Sequence, residues 1–159
     1  MPYFDELKLG DRFELGSHHF SAEAIVAFAR KFDPQPFHLD EEAGKKSLFG
    51  GLAASGWHTA AVWMKLMVAT RAKENAERVA RGEKPVLAGP SPGFRDLRWL
   101  KPVLAGDTLT YRSEVTGLRE SGSRPGWGLM ELTNTGTNQR GEVAYSFVGT
   151  VFLPRRPIS

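Results

Sequence analysis

Hydrophobic and polar residues repeat with two different periods along this chain, helical at first and strand-like later. Four apolar residues recur at the i, i+3, i+4 and i+7 spacing of an amphipathic helix: Ile25, Phe28, Ala29 and Phe32. Ser21 is a suitable cap for this helix, and Pro34 ends it because the residue before a proline disfavours helical backbone angles. The pattern therefore predicts a helix of about three turns that packs one face inward.

The longest apolar stretch spans residues 52–70, in which Lys65 is the only formally charged residue. The stretch is long enough for a membrane span, but polar residues interrupt it and residues 71–81 continue it as a charged helix. Other parts of the protein must cover a helix that is apolar all round its first half. We therefore expect one long, buried helix from residue 52 to residue 81.

The second half of the chain has the pattern of β-strands. Four segments there alternate apolar and polar residues and are separated by turn residues: 94–102, 107–115, 128–138 and 142–153. A fifth, short segment, residues 11–19, precedes the first helix. About five antiparallel strands and one long helix are most economically combined when the sheet curls around the helix, which gives an α+β domain. The exposed sheet edge favours pairing into a homodimer.

The composition narrows the possible functions. The 159 residues are predicted to form one domain (1–159), and the content of 41% hydrophobic and 25% charged residues is that of a globular protein. Cysteine is absent, which excludes disulfides and thiolate nucleophiles. The net charge of +3 is scattered, so neither nucleic acid nor a membrane is expected as a partner. Without an apolar leader, the cytoplasm is the expected location.

The candidate chemistry lies in the segment from Asp33 to Thr59. Asp33 and His38 are five positions apart, with Pro34 and Pro36 between them, which predicts a stiff, extended connection. A carboxylate and an imidazole together can transfer protons. A glycine-rich loop then leads into the long helix, where unpaired backbone N–H groups carry the positive end of the helix dipole.

This segment resembles a known family. Residues 33–40, DPQPFHLD, resemble the D-x-N-P-x-H-x-D motif of the MaoC-like dehydratases, which include the R-specific enoyl-CoA hydratases, and residues 49–56 resemble the F-G-x-x-x-x-H-G segment that follows it. The likeness covers about residues 21–152. It implies a hot-dog fold, an obligate dimer that can assemble further, and syn addition of water to a 2-enoyl thioester, or the reverse. Coenzyme A or an acyl carrier then enters only as part of the substrate, and no cofactor is required.

The resemblance also implies roles for individual residues. Asp33 and His38 match the two catalytic positions, and Gly56 matches the helix-start glycine whose N–H binds the thioester carbonyl. Five neighbours are expected to contact the substrate: Gln35, Phe37, Ser55, Trp57 and His58. Two of these depart from the motif, because Gln35 replaces its Asn and Ser55 replaces its His.

Other interpretations stay open for the same residues. Asp33 could cap a turn, and His38 and His58 could be structural histidines. The spacing of the acids and histidines matches no metal-ligand signature, so no metal is expected, and Ser55 lacks the elbow motif of a serine hydrolase. The alternatives to a hydratase are a hot-dog acyl-CoA thioesterase, which prefers an acid on the central helix, and a non-catalytic acyl-CoA binding module.

Overall fold

The computed structural model describes residues 1–157 and combines one long helix with a five-stranded sheet. A 3₁₀ turn at Phe4–Glu6 precedes the main elements. In chain order these are β1 Arg12–His19, α1 Ala22–Phe32, α2 Pro36–Leu39, α3 Glu41–Lys46, α4 Gly56–Ala80, β2 Gly93–Trp99, β3 Thr108–Glu120, β4 Trp127–Asn138 and β5 Val143–Pro154. The prediction of an α+β fold is confirmed.

The strands form one antiparallel sheet in the order β1-β3-β4-β5-β2, which leaves β1 and β2 at the edges. Strands β4 and β5 form a hairpin, and Gly141 adopts the positive φ of 80° that its turn requires. Side chains on the inner sheet face pack against α4, and the fully buried ones include Leu109, Tyr111 and Tyr145. Burial of these large side chains is the main stabilising contribution to the fold.

Helix α1 ends as predicted, but it buries fewer apolar residues than its sequence pattern indicates. Ser21 accepts a hydrogen bond from the Ala24 N–H, and Ile25 and Ala29 are buried. Phe32 is 69% exposed, so the expectation that it packs inward was wrong. Its position in the last turn places it beyond the part of the helix that the sheet and α4 cover.

The apolar stretch begins at residue 52, but helix α4 begins at Gly56, which confirms Gly56 as the helix-start glycine. Ser55 caps the helix by accepting a 3.2 Å hydrogen bond from the Trp57 N–H. The residues before it are held extended, because the Ala54 N–H donates to the Val103 carbonyl and Ala53 forms a bridge with Leu104. Apolar residues therefore continue across the helix start without being helical.

The segment from Asp33 to His38 is not extended throughout. Gln35 is extended, but Pro36–Leu39 forms the short helix α2. Pro36 occupies the first position of this helix, where its fixed φ is favourable and its missing N–H costs nothing. The second proline thus starts a helical turn, and this turn carries His38 into the protein interior.

The sheet covers only one side of α4, whereas the sequence predicted a helix covered on all sides. Four large apolar side chains remain exposed on α4, namely Trp57, Met64, Val68 and Val79, and Phe94 and Trp99 are exposed on the neighbouring edge strand β2. Among residues 1–157, no helix is both long enough and apolar enough to cross a membrane.

Candidate active site

A cavity of about 400 Å³ opens between α2, the first turn of α4 and the segment after β2. Its walls include Asp33, His38 and Gly56, so the structure brings the three predicted catalytic residues together. Asp33 is the only acidic residue in these walls. The bend between α1 and α2 supplies the carboxylate and the imidazole, and the start of α4 supplies the glycine.

Both carboxylate oxygens of Asp33 have hydrogen-bond donors. The Ser55 hydroxyl donates to Oδ2 at 2.6 Å, and the Gln35 side-chain amide donates to Oδ1 at 2.7 Å. Burial raises the pKa of Asp33, but these two bonds and the nearby His38 outweigh burial, so the pKa lies below its ordinary value. Asp33 is therefore a fixed carboxylate at neutral pH.

The ring of His38 is buried and its orientation is fixed. Nδ1 lies 2.6 Å from the carbonyl oxygen of Ala53, which can only accept, so the proton of the neutral ring is on Nδ1. Nε2 then carries a lone pair and lies 3.4 Å from Oδ2 of Asp33. Two acceptors at this separation repel each other unless they share a proton or a water molecule beside them donates to both. The pair is therefore suited to bind a water that donates to both.

Gly56 is the first residue of α4, and its N–H has no acceptor within residues 1–157. Such an N–H at a helix start carries partial positive charge and can bind an oxygen that becomes negative. A Cβ atom at this position would overlap the indole ring of Trp99. Only glycine therefore fits beneath this ring.

The other predicted site residues divide into three groups. Gln35, Phe37 and Trp57 line the cavity. Ser55 does not line the cavity, but its hydroxyl donates a hydrogen bond to Asp33. His58 lies outside the cavity wall, in an aromatic cluster, so this placement does not support the expected contact with substrate.

The ring of His58 stacks on Phe28 at a centroid distance of 4.5 Å, with Phe20 and His18 edge-on to it. Its Nδ1 is buried without a hydrogen-bond partner among the described residues. Burial, with a smaller contribution from His18, lowers the pKa of His58 to about 4. His58 is therefore a neutral core residue at neutral pH.

Sequence reasoning missed several residues of the cavity. Trp99 and Lys101 line it, and the Trp99 ring meets that of Trp57 edge-on at 5.3 Å. Both residues lie near the end of the predicted strand at residues 94–102, and strand order was needed to place them beside α4. The bond from Ser55 to Asp33 was also missed, because a cap serine looks the same in sequence whether or not it has a second partner.

Across residues 1–157, no group of three or more histidine, aspartate or glutamate side chains is arranged to hold a metal ion.

Comparison with known proteins identifies the family. The family model described as "MaoC like domain" matches residues 8–138. The uncharacterized protein YdeM of Bacillus subtilis (strain 168) is 32% identical over 136 residues, which is 86% of this chain and 87% of that protein.

Two solved structures show the same fold. A MaoC-like dehydratase from Rhodospirillum rubrum superposes with a TM-score of 0.80 at 39% identity, over 99% of this chain and 100% of that one. An (R)-hydratase from A. caviae involved in PHA biosynthesis superposes with a TM-score of 0.66 at 27% identity, over 93% of this chain and 98% of that one. This chain therefore belongs to the MaoC-like domain family and has the hot-dog fold of its members.

Proposed function

We propose that this protein is an enzyme that reversibly adds water to a 2-enoyl thioester and gives an R-3-hydroxyacyl thioester. The thiol part is coenzyme A or an acyl carrier, and no further cofactor takes part. The observation that carries the proposal is that one cavity contains both the Asp33–His38 pair, with Nε2 and Oδ2 3.4 Å apart, and the free N–H of Gly56. The (R)-hydratase of A. caviae, with the same fold, supports it.

The first requirement of the reaction is a polarised thioester carbonyl. Attack at C3 moves negative charge onto the carbonyl oxygen, which becomes enolate-like. The Gly56 N–H is fixed in place before the reaction and stands at the positive end of a 25-residue helix. One such donor typically contributes about 3 kcal/mol to transition-state stabilisation.

The second requirement is an activated water. A water between the two side chains donates one hydrogen to Nε2 of His38 and the other to Asp33. As its oxygen bonds to C3, one proton passes to Nε2, and the Asp33 carboxylate stabilises the resulting imidazolium. The second hydrogen remains on the new hydroxyl group.

The third requirement is a proton for C2. The Nε2–H of the imidazolium donates it to the enolate, which restores the neutral ring and completes the addition of one water. Both new bonds form on the face of the substrate that meets His38, so the addition is syn. The bond from Nδ1 to Ala53 keeps the ring in one orientation through both transfers.

We further propose that two copies of the chain assemble through edge strand β2 and the exposed face of α4. An unpaired edge and adjacent apolar side chains are both covered in such a dimer. Trp57 and Trp99 lie both in this exposed surface and at the mouth of the cavity, so a second copy would complete the cavity wall.

The test is incubation of the purified protein with crotonyl-CoA. Loss of the absorbance of the conjugated thioester, without release of free thiol, is the expected result. Thiol release would indicate a thioesterase instead. Binding with an unchanged spectrum would indicate a non-catalytic module, and either result would overturn the proposal.

A further inference from the structure

An apolar groove runs along α4 away from the active-site cavity; we call it the α4 groove. It consists of two adjoining hollows of about 140 and 130 Å³ between α4 and strands β2, β4 and β5. The nearer hollow shares Trp57 with the active-site cavity, and the two hollows share Trp63, Met64, Phe94 and Phe147. Apart from Arg71, no charged residue of the described chain lines either hollow.

Arg71 lies at the far end of the α4 groove and has no ionic partner there. Within residues 1–157 its guanidinium donates no hydrogen bond to a side chain or carbonyl and forms no ion pair within 4.0 Å. Glu74, one turn further along α4, is 3.1 Å from the amino group of Met1 instead. Burial lowers the pKa of Arg71, and the charge of Glu74 only partly opposes this effect.

The polar groups beside Arg71 are already occupied. The Ser91 hydroxyl donates to the Thr150 carbonyl, and the Asn134 side chain accepts from Ser113 and donates to the Leu132 carbonyl. Within residues 1–157, none of the five donors of the guanidinium forms a hydrogen bond at this end of the groove. A half-buried cation that forms no ion pair is unfavourable, and a bound carboxylate with two oxygens would match the planar guanidinium.

We propose that the α4 groove binds the acyl chain of the substrate and that Arg71 binds a carboxylate at the far end of that chain. The inference rests on the proposed hydratase function and names its substrate class, which is the ω-carboxyacyl thioesters. The apolar walls of the groove accept methylene groups, and Arg71 then distinguishes a charged chain end from a methyl end.

The length of the groove sets the length of the acyl chain. Arg71 is fifteen residues after Gly56, a separation of about 22 Å along the helix axis. Helical side chains lean toward the N-terminus, which shortens the distance that the ligand must span. A short dicarboxylic acyl group held at Gly56 would not reach Arg71, so the substrate needs a medium or long chain.

The test compares pairs of 2-enoyl-CoA substrates of equal chain length, with a methyl end or a carboxylate end, from short to long chains. The wild type is expected to prefer the carboxylate member of the longer pairs by about tenfold or more in kcat/KM, as a charged hydrogen-bonded pair contributes. Arg71→Met should bring this ratio close to unity, and Arg71→Lys should retain part of it. Arg30→Met removes an exposed arginine of α1 and should leave the ratio unchanged.

Three results are possible that would contradict the proposal, and each would overturn a different part of it. Hydration of crotonyl-CoA without any preference among the longer pairs would overturn the role of Arg71 alone. A change in oligomeric state in Arg71→Met, measured by light scattering, with the preference intact, would show that the guanidinium binds a second copy of the chain. Failure to hydrate any of the thioesters would overturn the hydratase function itself.

Discussion

The hydroxyl of Ser55 donates a 2.6 Å hydrogen bond to Oδ2 of Asp33, and so the cap of α4 also orients the carboxylate at the end of α1. The same oxygen of Ser55 accepts the N–H of Trp57. The Ser55 side chain therefore caps the helix that carries the Gly56 N–H, and it also orients the Asp33 carboxylate on the other side of the cavity.

Ser55→Ala should lower kcat/KM by about tenfold, since it removes a hydrogen bond to a charged group. This bond lowers the pKa of Asp33, so its loss should move the acidic limb of the pH–rate profile to higher pH. Ser21→Ala is the matched control, because Ser21 caps α1 without contacting Asp33. Both variants should lose about 1 kcal/mol of stability. An equal loss of activity in the two would show that Ser55 acts only as a cap.

Gly56→Ala should lower kcat/KM by tenfold or more, because the new methyl group displaces the indole of Trp99 from the cavity wall. The protein should remain folded, since alanine is favourable at the start of a helix. Gly122→Ala, in a loop where a Cβ meets nothing within 4 Å, should have wild-type activity. Wild-type kinetics of Gly56→Ala would mean that the substrate does not pass beneath Trp99.

Buried His58 makes the folded protein sensitive to acid. Its pKa is about 4 in the folded protein and ordinary in the unfolded chain, so between these values the unfolded chain binds the extra proton. Stability should therefore be complete above about pH 6.5 and fall by up to about 1.4 kcal/mol per pH unit toward pH 4. Denaturant titrations at several pH values should show a flatter profile for His58→Leu than for the wild type. Parallel profiles would contradict this account.

Val68→Asp should convert the proposed dimer to a monomer, because Val68 is exposed on α4 and a buried carboxylate in the dimer interface is costly. Light scattering measures the mass directly. Leu48→Asp is the control, since Leu48 is fully exposed in the loop before α4. A monomeric wild type, or an unchanged dimer in Val68→Asp, would place the interface elsewhere or exclude it.

The sequence predicted those features that depend on local pattern. Helix α1 and the strands with the turn residues between them follow from periodicity and turn chemistry. The family motif also predicted, from the sequence alone, that Asp33, His38 and Gly56 form one catalytic group. The apolar stretch alone would start α4 four residues before the motif glycine Gly56, because apolar composition does not distinguish residues paired in an extended segment from residues in a helix.

Features that depend on the relative position of distant segments could not be predicted. Trp99 reaches the cavity only because β2 is the edge strand beside β5. His58 follows Gly56 by two positions, yet the rotation of the helix turns its side chain toward Phe28 and away from the cavity. Arg71 looks like the first of several surface charges until the sheet is placed against α4.

The most direct test of the Asp33–His38 mechanism is the hydration of crotonyl-CoA in D₂O, with the configuration of the product at C2 and C3 determined by NMR. The account predicts an R-3-hydroxyl group with deuterium added on the same face. It also predicts a loss of at least about 100-fold in rate for Asp33→Asn and for His38→Ala, against unchanged rates for the exposed Glu41→Gln and His19→Gln. Anti addition, or full activity in either cavity variant, would contradict the account.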